Sequence, residues 1–284
     1  MPHETVTAGA VEISALLDVD VPDEPMADAF PGAPADELAA ARSMYPTIYN
    51  PDGTWRLRVR AWLVRHHGGV LLLDTGVGPE TSPAMAWCPT VGAVRTTLAE
   101  VDAAPDQIDT VVISHSHHDH IGGVLVADGA PAFPRARYVI QRADHEWERD
   151  AARDGDNPTW STLLEPLASA GVLDVIDGDH ALTGSIELHH APGHTPGHQV
   201  VRVSSGGARA LLSADTWNHP GQLAHPGWWS GSDDDHERAE ATRRDLLTEL
   251  MHEPETILAP THFAEAFGRV RHGPDGSAVW EPTG

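Results

Sequence analysis

The chain alternates between short apolar runs closed by turn residues and longer stretches with helical spacing. Val11–Val19 (VEISALLDV) reads as a first strand, and Arg56–His66 alternates through Leu57, Val59, Ala61 and Leu63. Gly68-Gly69 turns that strand into Val70–Asp74, an unbroken apolar run. Such runs belong to strands covered on both faces. Asp109–Ser114 and Arg137–Gln141 have the same character. So do Val172–Ile176, Ile186–His190, Gln199–Ser204, Ala208–Ser213 and Thr256–Ala259, with Gly206-Gly207 as a hairpin turn. Helical spacing marks Asp36–Ser43, Val91–Val101, Ile121–Ala127 and Thr159–Ala170, while Asp144–Arg153 reads as a charged surface helix. Asp233–Met251 carries Ala239, Leu246, Leu247 and Leu250 along one side and predicts a long amphipathic helix. Hairpins among the strands argue against a doubly wound parallel sheet and predict an α/β fold of two mixed β-sheets flanked by helices. Residues 21–54 are rich in Pro, Ala and Asp yet include Met44, Tyr45, Ile48 and Tyr49. They read as an N-terminal excursion from a single domain spanning 1–284. It is either a surface excursion, a lid, or an arm against a second copy of the chain, which would make a homodimer.

Composition then narrows the chemistry. All 18 basic residues are Arg, against 42 Asp plus Glu, which leaves a formal charge of -24 with the 19 His counted neutral. Without lysine there is no Schiff-base lysine, P-loop lysine or Ser-Lys dyad. A large negative surplus also argues against nucleic acid, whose binding depends on cationic neutralisation of phosphates. Residues 1–11 lack the basic start and apolar stretch of a signal peptide, and no run approaches the length of a membrane span. The lone Cys88 allows neither an internal disulfide nor a cysteine-based metal site. The expectation is a cytoplasmic protein acting on a small molecule, with no membrane or nucleic-acid partner.

The informative segment is Ser114-His115-Ser116-His117-His118-Asp119-His120, between a buried strand and a Gly-Gly helix start. His115 and His117 can converge on one ion if the loop is extended, and Asp119 and His120 turn back toward a second position. Neutral imidazoles and carboxylates are the usual ligands of zinc and other first-row divalent metals. Such a cluster cannot serve as apolar core, since each unpaired polar group would cost about 1–3 kcal/mol. The bounding strand and helix distinguish it from an unstructured histidine tract.

The pattern His115-x-His117-x-Asp119-His120 resembles the signature of the metallo-β-lactamase-fold hydrolases. Later pieces of that signature follow in order: Ala191-Pro192-Gly193-His194-Thr195-Pro196-Gly197-His198, Leu212-Ser213-Ala214-Asp215 and Pro260-Thr261-His262, with Leu73-Asp74-Thr75-Gly76 upstream. The resemblance spans roughly residues 57 to 272. It implies an αββα sandwich with two divalent ions at one edge, most simply zinc, with iron or manganese permitted by the same donors. Carried over, it gives His115, His117 and His194 to one ion, Asp119, His120 and His262 to the other, and Asp215 as the bridge. The chemistry it implies is hydrolysis of an ester, lactone or related substrate by a metal-bridging hydroxide. Asp119 would orient that hydroxide and carry its proton to the leaving group. Asp74 would support a ligand histidine from behind, or act only as a turn residue.

Thr216-Trp217-Asn218-His219-Pro220, the stretch from Gln222 to Arg244, and Thr261-His262-Phe263 resemble the methyl parathion hydrolase-like branch, which includes esterases, lactonases and phosphotriesterases. The acyl-homoserine lactonases similar to this fold commonly place a tyrosine shortly after the bridging aspartate. Here Asn218 and His219 stand there, and the only tyrosines are Tyr45, Tyr49 and Tyr138. His219 either reaches the pocket or packs beside Pro220. Trp217, Trp228, Trp229 and Phe263 are the candidate pocket residues, though aromatic side chains serve equally as core. Two alternatives remain: a di-iron oxidoreductase on the same scaffold, and a thioesterase of the hydroxyacylglutathione type. The latter would want a cationic site, and Arg outside helices is scarce.

Overall fold

The computed structural model describes residues 4–155 and 157–283. Its strands form two seven-stranded sheets. The first runs in chain order: β1 (Thr5–Ala8), β2 (Val11–Pro25), β3 (Thr54–His66), β4 (Gly69–Leu73), β5 (Thr110–Val112), β6 (Arg137–Gln141) and β7 (Leu173–Ile176). It is antiparallel from β1 to β4 and parallel from β4 to β7. The second holds β8 (His180–Ala181), β9 (Ile186–His190), β10 (Gln199–Ser205), β11 (Ala208–Ala214), β12 (Ile257–Pro260), β13 (Gly268–His272) and β14 (Ala278–Pro282). Only its β11–β12 pair is parallel among the described residues.

The alternation of side chains along a strand explains why the runs are apolar throughout. Trp62, Val64, Leu71 and Leu73 point between the sheets and meet Leu188, Val201, Val203, Leu212 and Ala259 from the other. Their neighbours Ala61, Leu63 and Leu72 point outward, against Leu98, Ile121, Phe133, Leu163, Leu164 and Leu167. Leu211 and Leu258 do the same on the second sheet, where Leu246 and Leu250 cover them. Helix, sheet, sheet and helix therefore stack as four layers.

Several elements differ from the pattern-based expectation. The predicted Ile121–Ala127 helix is instead one turn, His118–Ile121, which begins inside the histidine loop. It ends at Gly122-Gly123 because those residues press on the strand-end loop after β4. A Cβ on Gly122 would lie 2.2 Å from the Val77 carbonyl oxygen, and one on Gly123 2.2 Å from that of Thr75. Val91–Val101 is a turn of α-helix followed by a 3₁₀ turn, and Thr159–Ala170 opens on a π turn at Trp160–Leu164. β1, β8, β13 and β14 were not legible as strands. The excursion begins as the end of β2, and then forms helices at Met26–Ala29 and Ala35–Met44. Phe30 and Ile48 are fully buried with Trp55, Leu57, Val59 and Val77. It is a packed wall, with Cys88 buried in the same cluster. No helix among the described residues is long and apolar enough to cross a membrane.

Candidate metal centre

The site forms where strand ends and loops of both sheets meet. Asp74 directly follows β4 and Ala214 closes β11, and both residues adopt left-handed backbone, with φ of 64° and 42°. Non-glycine residues rarely do so, at a cost of about 1–3 kcal/mol. The turn at Asp74 aims its carboxylate across at the loop after β5. There Asp74 accepts from the Ser114 N–H (2.7 Å), the Ser114 hydroxyl (2.7 Å) and His120 Nδ1 (2.8 Å). The turn at Ala214 presents Asp215, whose own N–H donates to His198 Nε2 at 3.1 Å. His198 is thus a strut, its Nδ1 donating to the Ala191 carbonyl at 2.9 Å.

The hydrogen-bond partners assign the histidine tautomers. His115 Nδ1 donates to the Ser114 hydroxyl at 3.0 Å, His194 Nδ1 to Asp233 at 2.9 Å, and His262 Nδ1 to the Arg58 carbonyl at 2.7 Å. With Nδ1 occupied, each presents an Nε2 lone pair to a common interior, as ligand histidines do. His120 joins them through its bond to Asp74. His117 faces inward by Nδ1 instead, 3.0 Å from His194 Nε2. Three groups of donor atoms gather, each within 4.8 Å: His115, His117 and His194; His115, His120 and Asp215; and Asp119, His120 and His262. Asp215 touches both ends. Its Oδ1 lies 3.1 Å from His120 Nε2, and its Oδ2 lies 3.3 Å from His194 Nε2 and 3.0 Å from His262 Nε2.

The structure therefore brings all seven ligand candidates together. The donor set fits metal ions on its own evidence: His115 Nε2, His120 Nε2 and Asp215 Oδ1 are buried and make no hydrogen bond. Unsatisfied buried polar atoms are costly and rare, and their convergence is what a cation would satisfy. Electrostatics agrees. Burial disfavours charge on every ring, yet Asp215 and Asp119 outweigh it at His120, and Asp215 and Asp233 push His194 up to about 9. His115 and His117, with weaker carboxylate contact, are driven down by burial, His117 to about 3. Burial also tends to raise Asp215, but the His120 and His262 imidazoles hold it well below the carboxylate range.

Outer residues missed by sequence reasoning fix the loops. Asp144, expected on a surface helix, is fully buried. It accepts from the Ser116 N–H (3.0 Å), the Thr195 hydroxyl (2.9 Å) and the Gly197 N–H (2.6 Å), clamping the two histidine loops together. Burial pushes its carboxyl up to about 6. Asp233 joins His194 to the buried Arg243, whose Nη1 lies 3.2 Å from it. Arg60 donates to the carbonyls of Thr261 (3.0 Å), Phe263 (2.6 Å) and Ala264 (2.7 Å), holding the loop that carries His262. A buried acid in a polar run gives no periodic signal. Arg60 gives none either, since it continues the alternation of Arg56 and Arg58 along β3.

A cavity of about 530 Å³ opens onto Asp119, Asp215 and His262. Trp55, Leu57, Trp87, Trp147 and Asn218 are among its lining residues, and no Arg is among the described ones. The aromatic residues expected there lie elsewhere. Trp217 and Phe263 are fully buried in the core under the second sheet. Trp228 is buried and donates to Glu37 at 2.6 Å, and Trp229 packs on the His236 ring. They follow the ligands in sequence but anchor the loops from behind. His219 does not line the cavity either. It sits among the rings of Phe30, Tyr45, Tyr49 and Trp228, its Nδ1 accepting from the Gly221 N–H at 2.9 Å. Its neighbour Asn218 faces the cavity and donates to Asp215 Oδ2 at 3.1 Å.

Comparison with known proteins agrees with this geometry. The model of the metallo-beta-lactamase superfamily matches residues 54–262. The N-acyl homoserine lactonase of Bacillus cereus is 27% identical over 189 residues, covering 61% of this chain and 68% of that protein. The hydroxyacylglutathione hydrolase of Aeromonas hydrophila is 30% identical over 179 residues, 61% of this chain and 51% of that protein. Among solved structures, AidC, a dizinc quorum-quenching lactonase in complex with a product, matches with a TM-score of 0.83 at 23% identity, over 99% of this chain and 97% of that one.

Proposed function

Because the chain belongs to the metallo-beta-lactamase superfamily, we propose that it is a dinuclear metal-dependent hydrolase of small ester or lactone substrates. The observation that carries this is the cluster of seven donors in which Asp215 lies 3.0–3.3 Å from His120, His194 and His262, open to a cavity. His115, His117 and His194 would hold one divalent ion, and Asp119, His120 and His262 the other, with Asp215 common to both. Zinc suits these nitrogen and oxygen donors, and iron or manganese shares them. Bound there, such ions would supply Lewis acidity that lowers the pKa of water and polarises a carbonyl.

The chain's own residues do the rest. Asp119 lines the cavity, its Oδ2 3.5 Å from His120 Nε2 and 3.6 Å from His262 Nε2. That carboxylate is the group positioned to take the proton of the attacking water and return it to the leaving alkoxide oxygen. Asn218, by donating to Asp215 Oδ2, holds the shared carboxylate in orientation. Trp55, Leu57 and Trp87 exclude water from one wall.

Thioester hydrolysis is the second reading, favoured by the hydroxyacylglutathione hydrolase match. Against it stands the cavity lining, which offers no Arg to an anionic tripeptide among the described residues. Metal quantification with turnover of aryl esters, lactones, phosphotriesters and thioesters separates these readings. The expected result is about two ions per chain, ester or lactone turnover, and a loss of at least about 100-fold in Asp119→Asn. Full activity in that variant overturns the proton-transfer role. Iron-containing, coloured protein without hydrolysis would favour a di-iron oxidoreductase.

A further inference from the structure

We propose that Glu148 and Trp147 form a subsite for a cationic, amine-bearing arm of the substrate. The helix Arg142–Asp154 places Asp144, Glu148 and Ala151 on one face by its i, i+4, i+7 spacing. Asp144 is committed to the loop clamp described above, whereas Glu148 and Ala151 line the metal cavity with Trp147 beside them. Glu148 is only 6% exposed. Its side-chain surroundings are neutral: Asn157 Nδ2 donates to Oε2 at 2.7 Å, with the Ser116 and Thr159 side chains nearby. No Arg or His forms an ion pair with it among the described residues.

The charge is what these bonds leave unexplained. A glutamine would accept from Asn157 equally well, and a carboxylate without a counter-ion is costly to bury. Burial accordingly raises the Glu148 carboxyl above its ordinary value. Asp119 and Asp215 would face the divalent ions of the proposed site, whereas Glu148 lines the cavity beyond it. A cation entering there would meet Glu148 and the half-exposed Trp147 ring together. Carboxylates and aromatic faces both attract ammonium groups. The formal charge of -24 draws cations from solution toward the protein.

As a description of the substrate this rests on the proposed hydrolysis: the molecule would be an ester or lactone carrying a protonated amine. The subsite itself is testable without turnover. Zinc-loaded protein is titrated by calorimetry near neutral pH with benzylammonium and with benzyl alcohol, which match in shape and differ in charge. Wild type is expected to bind benzylammonium at least about tenfold more tightly. Glu148→Gln keeps the neutral contacts and should lose at least tenfold in benzylammonium affinity, while benzyl alcohol stays within twofold. Equal affinity of the two probes for wild type overturns the proposal whatever the variant does. So does an unchanged benzylammonium affinity in folded, zinc-loaded Glu148→Gln. A charge preference without ester or lactone turnover would sink the reaction and leave the subsite; turnover without the preference would do the reverse.

Discussion

Asp233→Asn separates the two jobs of one buried carboxylate. Oδ1 of Asp233 accepts from His194 Nδ1 at 2.9 Å, while Oδ2 accepts from the Ser230 N–H at 3.0 Å and faces Arg243 Nη1 at 3.2 Å. An asparagine can offer its oxygen to only one side. Kept toward Ser230 and Arg243, it turns an NH₂ group on His194 and drives the ring proton from Nδ1 to Nε2. The lone pair that would reach the ion is then lost. Outer hydrogen bonds of this kind are worth about 10–100-fold in metal affinity, or about 1.4–2.8 kcal/mol. Arg243 is 1% exposed, and removing the partner of a buried charge costs about 3–5 kcal/mol in stability. Competition with a chromophoric chelator measures the first quantity, and urea unfolding of the metal-free protein measures the second. Folded Asp233→Asn with metal affinity within twofold of wild type would refute the tautomer argument, even if its stability fell as expected.

Gly193→Ala should destabilise by at least about 2 kcal/mol in urea unfolding, because Gly193 has φ of 133° and a Cβ there would lie 2.2 Å from the Ala239 nitrogen. Burial pushes Asp18 up to about 6 even though it accepts from the Val77, Ala93 and Val94 N–H groups. The folded chain therefore holds its proton more tightly than the unfolded chain does, and stability falls as pH rises from about 4 to about 6. The loss is about 3 kcal/mol, and Asp18→Asn in chelator should remove that part of the slope; equal slopes would overturn it. Chelation of the loaded protein should lower stability by about 4 kcal/mol, referred to free metal at a thousand times its dissociation constant. Thermal unfolding with and without chelator checks this.

The ligands were legible because four of the seven stand in one short strand-end motif, His115 to His120, and the other three follow in order, each near a glycine, a proline or an apolar run. The strands were legible for the same reason that the core exists: residues such as Leu71, Leu72 and Leu73 are buried on alternating faces. Asp144 and Glu148 were not. Their helix reads RADHEWERD, a solvated face by composition, and what buries them arrives from residues 116, 157 and 195–197. Asp233 hides in an acidic run for the same reason, its partners lying 39 residues before and 10 after. The pocket aromatics were misplaced by a local assumption. Proximity to a ligand in sequence suggested Phe263, but the bend after β12 turns it into the core under the second sheet. Trp55, Trp87 and Trp147 reach the cavity from elements remote in sequence.

Both halves of the chain deliver a carboxylate by the same device, a strand ending in a left-handed non-glycine residue. Asp74 does so in the first sheet and Ala214, just before Asp215, in the second. Such backbone persists only where its surroundings over-determine it, and here they do. Asp74 is held by three donors from the adjacent strand end and its loop. Asp215 is held through its N–H by His198, which is tied in turn to Ala191. Asp144 then locks the Ser116 loop to the Thr195 loop, which ties the two sheets together at the donor cluster. The positions of the histidines thus depend on the folding of both sheets. The same over-determination explains why the motif in the sequence is short while the site it belongs to draws on residues from Arg58 to His262.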